Sequence, residues 1–149
     1  MRDAAFRVYR WLMALFLAGV VAEFFLAGLG VFRAQHAATA AGSTLTSASF
    51  DQGFSPHVAL GDILALISLA LTAVALAARP ERRVLLATLA VLALITVQAA
   101  LADAGPPAVR ALHPVAGLLV LGAAAYAFSR TGLPWNRRGR LLPRRRWPR

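Results

Sequence analysis

Residues 84–102 read VLLATLAVLALITVQAALA, a run without a single ionisable side chain. A helix needs about 20 mainly apolar residues to cross a hydrocarbon core of roughly 30 Å, and this stretch supplies them. Three further runs share its character. Residues 11–32 (WLMALFLAGVVAEFFLAGLGVF) hold one ionisable group, Glu23, and residues 57–78 (HVALGDILALISLALTAVALAA) hold only His57 and Asp62. Residues 113–129 (HPVAGLLVLGAAAYAFS) open on His113 and reach full length when read from about 109 to 129. Alanine, leucine and valine follow one another without the period-2 alternation of a membrane β-barrel strand. The pattern predicts an all-α integral membrane four-helix bundle over residues 1–130, followed by an arginine-rich tail over 131–149.

Composition agrees. The chain has 149 residues, 59% of them hydrophobic and only 15% charged, yet its formal net charge is +10. An ordinary soluble domain carries about 25% charged residues. All 16 basic residues are arginine, and there is no cysteine, which excludes disulfide frameworks, thiolate metal sites, iron–sulfur clusters and covalently attached c-type haem.

The arginines are sorted by connection. Arg2, Arg7 and Arg10 precede the first span, and Arg79, Arg82 and Arg83 separate the second from the third. Eight more follow the fourth span, whereas the remaining two connections hold only Arg33 and Arg110. Basic residues concentrate on the cytoplasmic side of membrane proteins, so this distribution predicts both termini in the cytoplasm. Tyr9, Trp11, Tyr126 and Trp135 then fall near the inner boundary, where amphipathic rings favour the headgroup region. The stretch 130–149, with eight arginines, fits anionic lipid headgroups; it lacks the groove or the row of stacking aromatics that nucleic acid requires. Ala37-Ala38-Thr39-Ala40 resembles a signal-peptide cleavage site, but the apolar run before it exceeds a typical signal core, which favours a retained helix. Residues 33–55, small and polar, read as an outer loop.

The scarce polar residues are not scattered. The second span opens His57-Val58-Ala59-Leu60-Gly61 and the fourth opens His113-Pro114-Val115-Ala116-Gly117, both H-x-x-x-G. The preceding helices carry Glu23 and Gln98 near their outer ends. Each half thus reads as an ascending helix with a polar residue, an outer loop and a descending helix starting with histidine, the pattern of a tandem repeat of two-helix hairpins related by an axis along the membrane normal. At about 1.5 Å per residue, Glu23, His57, Asp62, Gln98, Asp103, Arg110 and His113 all fall in one outer-leaflet layer. The inner half holds only hydroxyls such as Ser68, Thr72 and Thr88, which can return hydrogen bonds to their own helices. Ionisable groups in lipid are costly and usually face a bundle interior, so the layer is the candidate site.

Two histidines at one depth can offer nitrogen to one metal. Haem iron accepts axial histidine, and bundle interiors hold haem. Gly61 and Gly117, one turn further on the same helix faces, would give a flat macrocycle clearance, and Arg110 would meet a propionate. The leading expectation is therefore one b-type haem bound by His57 and His113, serving electron transfer with a redox partner or a quinone rather than substrate turnover. Two other readings stand beside it. A structural or accessory membrane subunit without cofactor would use Glu23 and Gln98 to hydrogen-bond across the bundle and would need small residues only for close packing. In that reading Pro56 and Pro114 mark helix boundaries, and Asp62 pairs with Arg110. A small-solute or proton transporter ranks third, because the inner half lacks polar stations.

The segments Phe24–Phe32, His57–Gly61 and Leu112–Gly117 resemble an uncharacterised family of small bacterial four-helix membrane proteins that carry a domain of unknown function. The resemblance covers roughly residues 7–130 and implies no activity; a glutamine is common in that family where this chain has Glu23. More loosely, the paired H-x-x-x-G hairpins are similar to membrane b-type cytochromes and to one half of a haem A synthase. That similarity implies a bis-histidine haem on His57 and His113.

Overall fold

The computed structural model describes residues 2–40, 42 and 44–131; the arginine-rich tail beyond Thr131 lies outside the described residues. The elements are α1 (Arg2–Ala40), α2 (Ser47–Ala78), α3 (Arg82–Ala102), the short α4 (Pro107–Arg110) and α5 (His113–Arg130). Four helical segments are long and apolar enough to cross a membrane, the last of them α4 and α5 together. The chain is an all-α four-helix membrane protein. α1 packs on α2, α2 on α3, α3 on α5, and α5 closes the ring on α1.

The core follows helical spacing. Tyr9, Met13, Phe16 and Val20 recur at three- and four-residue intervals along α1 and are buried, as are Leu64, Ser68, Leu71 and Ala75 along α2. Large apolar residues such as Trp11, Phe25, Leu66 and Leu118 point outward instead. That inversion is costly in water and neutral in lipid, where association relies on packing and hydrogen bonds. Ser68 and Thr72 donate to the carbonyls of Ala65 and Ser68, and Thr88 donates to that of Val84, so the hydroxyls of the inner half are satisfied locally.

Several local expectations need correction. Residues 33–55 are mostly helical rather than a loop, because α1 continues to Ala40 and α2 begins at Ser47. Thr46 caps α2: its hydroxyl accepts from the Ser49 N–H while the Ser49 hydroxyl accepts from the Thr46 N–H. Pro56 is inside α2 rather than at a boundary. The ring removes the N–H that would bond the carbonyl four residues back, and the Ser55 hydroxyl donates to that same Gln52 carbonyl, at 3.2 Å. The fourth span is interrupted at Ala111-Leu112, while Pro114 does sit in the first turn of α5, where a missing N–H costs nothing.

Tyr9 is fully buried between the helices, and its hydroxyl lies 2.7 Å from that of Thr88, tying α1 to α3. Around it, Arg10 lies over the Phe128 ring, and Arg130 and Glu81 form an exposed ion pair at 3.6 Å. Interhelical hydrogen bonds in membranes average near 0.6 kcal/mol. Tyr9→Phe is therefore expected to lower stability by about 0.5–1.5 kcal/mol in a denaturant titration in mild detergent, with the helical content unchanged.

Candidate functional site

Toward the end of the bundle opposite the two termini, each of the four long helices delivers one polar group to the same place: Glu23 from α1, His57 from α2, Gln98 from α3 and His113 from α5. Glu23 is buried and its carboxylate Oε2 meets His57 Nδ1. Neither atom has another partner. His113 Nδ1 lies 2.9 Å from the backbone carbonyl of Gln98. A carbonyl only accepts, so His113 Nδ1 carries the hydrogen. The two imidazoles meet edge to face between α2 and α5, with ring centroids 6.1 Å apart and planes at 77°. Both rings are thus held through Nδ1, which leaves Nε2 as the other ring nitrogen of each.

The hairpins play equivalent parts. In each, the ascending helix holds the histidine of the descending one, but α1 does so with a carboxylate and α3 with a main-chain oxygen. A backbone carbonyl leaves no mark in the sequence, which is why this partner of His113 was not foreseeable.

Both glycines lie beside the site. A methyl group added at Gly61 would sit 3.7 Å from Glu23 Oε1. One at Gly117 would meet Phe24 Cζ at 3.3 Å and the Gln98 amide nitrogen at 3.4 Å. The space in front of the glycines is therefore filled by the far ends of movable side chains, not by backbone. Phe54 adds an aromatic edge against His57, with centroids 6.1 Å apart.

Three of the predicted polar residues stay outside this cluster. Asp62 and Asp103 are exposed. Five residues from His57 is about 140° of rotation at 3.6 residues per turn, so Asp62 faces away from the bundle. Arg110 is exposed on the outer connection, where its Nε donates to the carbonyl of Ala104. It makes no ion pair with Asp62, and it shapes the loop rather than lining the site. His36 is exposed near the end of α1.

Residues 23–105, more than half of the chain, match the family of unknown function DUF6220. The chain belongs to the DUF6220 family. No curated protein and no solved structure matches this DUF6220 chain. The matched segment begins at Glu23 and contains His57 and Gln98; His113 lies beyond its end. Among the described residues of this DUF6220 protein, no group of three or more His, Asp or Glu side chains is close enough to hold a metal ion by protein ligands alone.

Proposed function

We propose that this protein binds one haem b through Nε2 of His57 and His113 and transfers electrons in the outer half of a bacterial cytoplasmic membrane. The observation that carries the proposal is the opposed pair of Nδ1-anchored imidazoles. Metal-ligating histidines characteristically donate their other ring nitrogen to a carboxylate or a backbone carbonyl, which fixes the tautomer; Glu23 and the Gln98 carbonyl are those two partners here. The ring centroids are 6.1 Å apart, and the two imidazoles would hold the haem between α2 and α5. Haem supplies four equatorial nitrogens, so two protein ligands suffice, and when bound it supplies one-electron chemistry. Beside Gly61 and Gly117 the group would displace the ends of Glu23, Phe24 and Gln98. Arg110, turned to the Ala104 carbonyl, is the weakest part of the expected set.

The accessory-subunit reading is favoured by one feature, the close filling of both glycine faces by side chains. Visible spectra of the purified full chain separate the two. The haem reading expects a Soret band and a sharpened α band after dithionite. A preparation that stays colourless after haem addition would overturn it and leave a purely structural polar layer.

The arrangement of the arginines further supports both termini on the cytoplasmic side. The chain has no cysteine, so single cysteines report topology directly. Cysteine at position 42 is expected to react with a membrane-impermeant maleimide in intact cells, and cysteine at position 80 only after lysis.

A further inference from the structure

The paired α1–α2 hairpin runs past the histidine layer, and its extension carries a cleft that the haem reading does not use. Helices α1 and α2 meet there at Gly30 and Gly53, with Ala34 packed beside them. Beside this contact the helices border an open cleft of about 510 Å³, lined by Phe32, Arg33, His36, Ser49, Gln52 and Gly53. Arg33 lies about 15 Å beyond Glu23 along α1 at 1.5 Å per residue, at the outer edge of the apolar span.

Its chemistry is unusual for that side of the membrane. Only two arginines, Arg33 and Arg110, lie in the two connections that the other fourteen avoid. Arg110 is engaged by the Ala104 carbonyl. Arg33 makes no ion pair or hydrogen bond among the described residues and opens into the cleft with His36, one turn further. Ser49 and Gln52 add hydroxyl and amide donors from α2. Ser49 already accepts from the Thr46 N–H and donates to the Thr46 carbonyl, so Gln52 and Arg33 are the stronger contributors.

The wall below the cleft is apolar and exposed. Phe25 and Phe32, seven residues apart and so on one helix face, are 69% and 70% exposed. An arginine at a headgroup, continuous with an apolar strip pointing into the bilayer, suits an amphiphile better than a free anion.

We propose that the cleft binds the phosphate headgroup of an anionic outer-leaflet phospholipid, with Arg33 and Gln52 on the phosphate, His36 at its rim and an acyl chain along Phe32 and Phe25. A single arginine near a charged membrane surface is attracted to anionic headgroups, and the cleft adds hydrogen-bond donors to it. The site is independent of the histidine layer and stands whether or not haem binds.

The test uses the full chain in bilayers of phosphatidylcholine containing phosphatidylglycerol with a diazirine on its acyl chain. After photolysis, crosslinks are mapped by peptide mass spectrometry. Labelling of the segment from Phe25 to His36 is expected, and it should fall at least fivefold in the R33Q/H36Q double variant. Both residues are exposed, so the fold should survive, and unchanged labelling of the arginine-rich tail serves as the internal control. Equal labelling of residues 25–36 in the double variant would overturn the proposal. Equal labelling of residues 25–36 by phosphatidylcholine carrying the same diazirine would also overturn it, because the cleft would then not distinguish an anionic headgroup.

Discussion

His57→Ala and His113→Ala are each expected to abolish the haem spectrum, a change of more than tenfold in absorbance per mole of protein, while the protein still extracts as a folded helical bundle. Two axial nitrogens hold the iron in this reading, and no third histidine is near enough to substitute, since His36 lies well out along α1. Replacing an imidazole with a methyl group also leaves a hole in a layer that is already closely filled, so a fold control is needed. Circular dichroism serves, because the helices are held mainly by the inner core of Tyr9, Phe16, Leu71, Val91 and Val120. His57→Gln and His113→Gln provide a second pair that retains volume and polarity. Retention of the spectrum in both alanine variants would mean that the ligands are elsewhere.

Glu23→Gln probes the same centre from one shell further out. The haem is expected to remain, because an amide oxygen still accepts from His57 Nδ1, but its midpoint potential should rise. A carboxylate makes the ligating imidazole more electron-rich than an amide does and stabilises the oxidised iron by its charge. A structural role for Glu23 alone would leave the potential unchanged.

Gly53→Ala carries the largest expected loss of stability, about 1–3 kcal/mol in an unfolding titration in mild detergent. The added methyl would lie 2.6 Å from the Gly30 carbonyl oxygen and 3.1 Å from the Ala34 nitrogen. These two groups bond to each other within α1 in the i to i+4 pattern of a helix, so neither can move without weakening that bond. The gain in helix propensity, roughly 1 kcal/mol for alanine over glycine, does not offset a clash with backbone on two sides. Gly28 has open space around it, and Gly28→Ala should be neutral or stabilising in the same assay. Gly19 is the instructive intermediate: its added methyl also approaches an atom at 2.6 Å, but that atom is the terminal methyl of Leu64, which can rotate away. Gly53 lies one turn from His57, so forcing α2 off α1 there should also weaken haem binding, a coupling that Gly28→Ala would not produce.

Much of this architecture was legible in the residues. Hydropathy is a local property, and a run of about 20 apolar residues has few ways to satisfy its backbone in lipid other than as a helix. The four spans therefore follow from the sequence, as does the depth of Glu23, His57, Gln98 and His113, because rise per residue is fixed. Rotation about the helix was legible too, and it separates His57 and Gly61, about 40° apart, from Asp62, about 140° away. Depth alone placed Asp62 in the layer; rotational phase removes it. The extension of α1 and α2 through residues 33–55 was hidden because small polar residues are compatible with either helix or loop, and the choice falls to packing at Gly30, Gly53 and Ala34.

What the tertiary structure alone decided is which polar groups meet. Nothing in the order of residues says that Glu23 turns to His57, that His113 takes the carbonyl of Gln98, or that Tyr9 reaches Thr88 across 79 positions. Such contacts depend on the relative rotation and height of whole helices, set by close approach at a few small residues and by interdigitation of the core. The sequence determined the membrane, the four helices and the level of the polar layer, since each is encoded within one segment. The facing imidazoles and the lipid cleft arise only where separate segments come together.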